Sequence, residues 1–176
     1  MQEPNLAKPV LTSLKQSLRF LDRQISLLEA QIKQHIGAHP SLKADRDLLI
    51  SIPGIAEASA SWILAELPDV DAFDNAKDAA AYAGLAACEY RWGTSLAKRT
   101  RLSKRGNARL RTALYYPAMA ACRFNPLVRA LYLRLLERGL CRKAALGAAM
   151  RKLLMIAYGV LKSRKKFCVP AEQAAA

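Results

Sequence analysis

The chain has 176 residues, 52% of them hydrophobic, with 28 Lys or Arg against 14 Asp or Glu and a net charge of +14. That length and apolar content suit one ordinary domain with an extension, and exclude a generally disordered chain. The charge is uneven: residues 1–89 hold 8 basic and 12 acidic side chains, residues 90–176 hold 20 and 2, a split that points to a polyanionic partner rather than to a merely solvated face.

The opening MQEPNLAKP lacks the basic-then-apolar pattern of a signal peptide. The apolar run LLMIAYGVL at 153–161 is too short to span a bilayer. The expectation is a cytoplasmic protein without a membrane partner. Cys88, Cys122, Cys141 and Cys168 show neither C-x-x-C pairing nor zinc spacing, and His35 and His39 lie far from them in sequence, so free thiols are expected.

Leu11, Leu14, Leu18, Leu21, Ile25, Leu28 and Ile32 recur at steps of three and four, a heptad seam over three repeats. It predicts a helix over 9–36, ended near Gly37 and Pro40, that either dimerises as a coiled coil or packs on a domain. A helix over 42–51 leads into SIPGIAEASASWILAEL (51–67), where Pro53 and Gly54 make a tight turn before a helix over 56–66. The segment 69–78 is an acidic loop, and Asn75 caps a small helix that ends at Gly84. The basic stretch 85–106 has little periodicity and is expected to be mostly loop. Asn107 caps a helix to 124, kinked near Pro117. Asn125-Pro126 starts another, ending at Gly139, and a last helix covers 141–163. No strand is predicted. The fold class is all-α: a long coiled-coil-like helix (1–40), a compact helical domain (41–168) with a helix-hairpin-helix-like turn, and a disordered tail (169–176).

Several segments bear on chemistry. In IPGIAEASA, the Gly54 turn could turn the first unpaired amides of the following helix toward a DNA phosphate; the alternative is a packing hairpin with Ile52, Ile55, Ile63 and Leu64 in the core. From Arg91 to Arg111 there are eight Lys or Arg and no acid. Arg91, Lys98, Arg99, Arg101, Lys104, Arg105, Arg109 and Arg111 are the candidate phosphate ligands, since such groups neutralise phosphates and release counterions. Ser103-Lys104-Arg105-Gly106-Asn107 runs straight into a helix N-terminus, a natural phosphate cradle. Ser95, among these cations, is a candidate nucleophile on a phosphodiester, although serines in basic loops mostly hydrogen-bond phosphate or backbone. Tyr115 and Tyr116 read as core residues rather than nucleophiles, because no histidine accompanies the arginines. Asp69, Asp71, Asp74 and Asp78 read as turn and cap residues rather than metal ligands.

LISIPGIAEASASWILAEL, FDNAKDAAAYAGLAACEYRWGTSLAKRTRLSKRGNARLRTALYYPAMAACRFNP and RKAALGAAMRKLLMIAYGVLKS together resemble the C-terminal domain of the IS one-ten family of insertion-sequence transposases. That family includes pilin-gene invertases and recombinases guided by a bridge RNA. The resemblance runs from about 45 to 167. It implies a DNA-binding domain acting in transposition, with DNA as partner, a guide RNA in some members, and a homo-oligomer through the long helix. It also implies a separate RuvC-like domain whose acids bind Mg2+; this chain shows no such acidic cluster, so no cofactor is expected on it. The family motif reads Ser-Gly-Thr-Ser or Ser-Gly-Ser-Ser, with the first serine as nucleophile. Gly93-Thr94-Ser95 match the rest, and Trp92 stands at the nucleophile position. An indole has no nucleophilic oxygen. Binding without cleavage by this chain alone is therefore the expectation, with Ser95 a candidate by proximity. The alternatives are an oligomerisation and RNA-binding module, and a recombinase subunit completed in trans.

Overall fold

The computed structural model describes residues 8–92 and 96–169, with backbone alone at 89–92 and 96–100. Gly93, Thr94, Ser95 and most of the expected tail lie outside the described residues. The chain divides into two compact units, Met1–Pro40 and Ser41–Ala176.

The first unit is essentially helix α1, Lys8–Ala38. Among its described residues only Ile36 is buried. Leu11, Leu14, Leu18, Leu21, Ile25, Leu28 and Ile32 are all exposed, at 40–60%. The heptad seam is thus open along its length.

The second unit carries α2 (Pro40–Ile50), α3 (Glu57–Glu66), a 3-10 turn (Val70–Ala72), α4 (Ala76–Tyr82), strands β1 (Ala87–Trp92) and β2 (Leu96–Leu102), α5 (Ala108–Ala113), α6 (Tyr115–Phe124), α7 (Pro126–Glu137) and α8 (Arg142–Ser163). Helix is the dominant structure, as the periodicity indicates. The expectation that 85–106 is mostly loop, with no strand, is corrected: an antiparallel hairpin occupies most of it. The kinked helix over 107–124 is two helices broken at Leu114. Pro117 explains the break, because its ring would meet the Ala113 carbonyl in a continuous helix.

Helix α8 is the centre of this unit. It packs against α4, α6 and α7. Ala145, Gly147, Ala149, Leu153, Leu154, Ala157 and Leu161 are among its buried residues, and the small ones let neighbouring helices approach closely. By length and composition the whole helix could cross a bilayer, which the nine-residue run at 153–161 could not. Its burial accounts for that apolar character as core. Leu49, Ile52, Ile63, Leu85, Leu110, Leu114 and Val128 are also fully buried.

Local chemistry sets the helix ends. Asn75, Asn107 and Asn125 each accept two hydrogen bonds from the first-turn amides of α4, α5 and α7. Helix α4 ends in a Schellman arrangement: Gly84 N donates to Ala81 O (2.8 Å) and Leu85 N to Ala80 O (2.9 Å), with Gly84 at φ +68°. Two of the acids of 69–78 act as a cap and a tie. Asp69 caps the 3-10 turn, and Asp71 pairs with Lys162 of α8 at 2.5 Å.

Candidate nucleic-acid interface

The hairpin pairs Ala87 with Leu102, Cys88 with Arg101, Tyr90 with Lys98, Arg91 with Ala97 and Trp92 with Leu96. Between Cys88 and Tyr90 the register slips, so β2 carries one extra residue between Lys98 and Arg101. Such a bulge increases local twist and resets the alternation of faces. Lys98, Arg99 and Arg101 thus bracket an irregular point of a strand. Arg91 and Trp92 close β1, and Trp92 is the last paired residue before 93–95.

At its base the hairpin is locked to the helical core. Leu102 packs against Gly147 of α8, where an added Cβ would lie 2.7 Å from Leu102 Cδ1. The ladder continues past the strands: Ser103 N donates to Ala86 O (2.9 Å), Lys104 N to Gly84 O (3.1 Å) and Asn107 N to Tyr82 O (2.7 Å). Gly106, at φ +136°, sits so close that a Cβ would be 2.2 Å from Tyr82 O. Lys104 itself is held at φ +55°, a conformation side chains seldom adopt. The turn Ser103–Asn107 is therefore fixed by backbone ties, and it leaves Lys104 and Arg105 exposed.

Asn107 is the hub of this turn. Its Oδ1 accepts from Arg109 N (2.9 Å) and Leu110 N (3.1 Å). Its Nδ2 donates to Glu66 O (3.2 Å), Glu66 Oε2 (3.1 Å) and Tyr82 Oη (3.4 Å). The helix N-terminus expected to cradle phosphate thus has two of its amides taken by its own cap. The sequence marked Asn107 as a cap but not as the bridge to α3 and α4; nothing in the local pattern names Glu66 as its partner.

The candidate ligands divide by what holds them. Arg101, Lys104 and Arg105 are exposed, with no carboxylate partner among the described residues. Arg109 is 83% exposed and only 3.9 Å from Glu66 Oε1, a contact of little energetic weight. Arg111 differs: its Nη1 donates to Ala83 O (2.9 Å) and Lys104 O (3.5 Å), so its guanidinium ties the end of α4 to the turn. Arg91, Lys98 and Arg99 lie on the hairpin strands, with side chains outside the described residues, as Ser95 is altogether.

Gly54 is placed elsewhere in the unit. At φ +105° it abuts α6, where a Cβ would lie 2.6 Å from Ala121 N. Ile52, Ile55 and Ile63 around it are buried. Close packing accounts for this glycine without a ligand. At the start of α3, Glu57 pairs with Arg46 at 3.0 Å, placing a carboxylate near the positive end of the helix. Tyr115 and Tyr116, expected in the core, are 43% and 72% exposed and pack edge to face with centroids 5.3 Å apart. Among the described residues no three His, Cys, Asp or Glu side chains are grouped to hold a metal.

Residues 46–133, the span from α2 through the hairpin to α7, match the family described as Transposase IS116/IS110/IS902. The chain belongs to this transposase family. It is 33% identical over 153 residues to the pilin gene-inverting protein of Moraxella bovis, covering 86% of this chain and 47% of that protein. The Moraxella lacunata pilin gene-inverting protein matches equally. An insertion element IS110 43.6 kDa protein of Streptomyces coelicolor is 31% identical, covering 87% of this chain and 36% of that protein. The chain spans about half or less of the length of these relatives.

Proposed function

We propose that this chain is a DNA-binding domain of an insertion-element transposase and engages duplex phosphates through the hairpin and the Ser103–Asn107 turn. The observation that carries this reading is the rigid presentation of Lys104 and Arg105, exposed and without carboxylate partners among the described residues, beside Arg101 and Arg109. A turn whose backbone is already fixed loses little backbone freedom on binding, and phosphate contacts release counterions. Arg91, Lys98 and Arg99 add three more cations to the hairpin strands in sequence. Arg111 contributes by holding the turn, and Gly54 by packing, rather than by direct contact.

The chain binds DNA without cutting or joining it alone. Trp92 stands where the family resemblance places the attacking serine, and a phosphodiester attack needs an oxygen nucleophile that an indole lacks. Incubation with end-labelled element DNA and magnesium should give no covalent protein–DNA adduct. An adduct lost on Ser95→Ala would overturn this and make Ser95 the nucleophile. For binding, replacing Lys104, Arg105 and Arg109 by Gln should lower the salt slope by about 0.9 per lost duplex contact. An unchanged slope would exclude the turn as the interface.

A second reading, self-association, is favoured by one observation: the seam from Leu11 to Ile32 is exposed along α1. A coiled-coil homodimer would bury it. Light scattering at low and high salt should report a dimer in both, and a monomer after Leu18→Lys and Ile25→Lys. A guide RNA partner in this reading would compete with duplex for the basic turn.

A further inference from the structure

We infer that a cleft between α6, α7 and α8 holds an unpaired nucleotide, separately from the duplex surface. The cleft has a volume of about 310 Å³. That is at the small end for ligand sites, suited to one base and its phosphate and too small for a duplex. Tyr115 and Met119 of α6, Tyr132 of α7 and Leu146 of α8 supply its flat and soft surfaces. Arg123, Arg142 and Lys143 supply its charge.

The combination is specific in its chemistry. Three cations without an ion-pair partner among the described residues attract a phosphate. Two tyrosine rings line it, and a base stacks on such a ring whatever its identity. Neither group alone suits the other's ligand: an inorganic anion gains nothing from the rings, and an uncharged aromatic gains little from the cations. Cys122 also lines the cleft, and burial pushes its thiol up, so it stays a neutral wall rather than a competing anion. Helix α6 adds Tyr116 and Phe124, 72% and 71% exposed, as further stacking surface outside the cleft.

The three helices pack on one another, so the site is preformed. It is also joined to the hairpin. Leu146 lines the cleft, and its neighbour Gly147 receives Leu102 at the foot of β2.

The inference rests on the nucleic-acid reading above, and the two can fail separately. The test is fluorescence anisotropy on the full chain with labelled oligothymidylate and a labelled duplex of equal length. Tyr115→Ala and Tyr132→Ala should each weaken oligothymidylate binding by roughly 5- to 150-fold, the loss of one stacked base. Tyr115→Phe and Tyr132→Phe keep the ring and should bind as the unaltered chain does. Arg142→Gln with Lys143→Gln should lower the single-strand salt slope by about 0.7 per lost contact. All of these should leave duplex affinity within about twofold. Oligouridylate bound with the same tyrosine dependence supports the site for unpaired RNA as well. Oligothymidylate affinity indifferent to both tyrosines and to Arg142 overturns the inference, as does equal loss on both ligands. If the duplex does not bind but oligothymidylate does so through Tyr115 and Tyr132, the cleft stands and the duplex reading falls.

Discussion

Two glycine turns invite the same reading from sequence and behave differently in the fold. Each precedes a helix, and each looks like a place where backbone amides could meet phosphate. Gly54 faces inward, against the backbone of α6 at Ala121, among buried isoleucines. Gly106 also packs closely, against Tyr82 O and Gly84 N, but the two residues before it, Lys104 and Arg105, are exposed cations. A glycine therefore reports that a backbone must come near something. Its neighbours decide whether that something is the protein's own core or whether the turn also presents charge outward.

The largest effects should come from adding a methyl group at either glycine. Gly54→Ala and Gly106→Ala each impose a positive φ on a side chain and push Cβ into backbone, which should cost about 3 kcal/mol in denaturant unfolding. The comparison is sharpened by binding. Gly54→Ala, measured below its melting transition, should keep duplex affinity. Gly106→Ala should lose it, because the tie between Asn107 N and Tyr82 O sets the turn. Equal binding by both variants would break the distinction.

Asn107→Ala comes next. It removes a helix cap and leaves Glu66 without its amide partner, for a combined loss of about 2 kcal/mol. Asn107→Ser keeps a cap acceptor and forfeits the donor bonds to Glu66 and Tyr82 without setting a second carboxylate against Glu66 Oε2. Recovery of about half the loss in thermal melts would apportion the two roles.

Much of this was legible in the chain and some was not, for local reasons. The three asparagine caps declare themselves because cap chemistry acts within three residues. The seam of α1 declares itself because heptad spacing is periodic. The hairpin did not, since β2 is rich in Lys and Arg and lacks a continuous apolar face. A signal was present: Cys88, Tyr90 and Trp92 alternate with Glu89 and Arg91 just before a Gly-containing connection. The exposure of Tyr115 and Tyr116 was hidden too, because it depends on the break that Pro117 imposes and on what packs beside α6. Arg111 and Arg109 read alike in sequence. Only the fold shows that one reaches the Ala83 carbonyl and the other reaches water.

The two halves of the charge split offer a smaller effect. Acids of the first half are used as ties: Asp47 and Glu57 both pair with Arg46, whose side chain is only 12% exposed, and Asp45 pairs with Arg164. Arg46→Gln should cost about 1 kcal/mol and leave the salt slope of binding unchanged. Arg105→Gln should do the reverse, with no change in melting temperature and a shallower slope. Similar behaviour of the two would mean that the free and the paired cations are not distinct classes.

The smallest effect is a pH signature at Asp71 and Lys162. The hydrogen bond from Lys162 holds the Asp71 carboxyl below its usual range, and the same bond holds the Lys162 ammonium above its own. A lowered carboxyl pKa contributes stability that is full above the unfolded value and lost as pH falls through the folded one. A raised ammonium pKa contributes stability that is lost as pH rises through the folded value. Asp71→Asn should therefore lower the melting temperature slightly near neutrality, and the gap to the unaltered chain should close in acid and again in strong alkali. Both groups are exposed, so added salt should shrink the neutral gap as well. A gap independent of pH and salt would mean that Asp71 acts through the packing of the 3-10 turn on α8, where Tyr158 already bonds Phe73 O at 3.1 Å, and not through its charge.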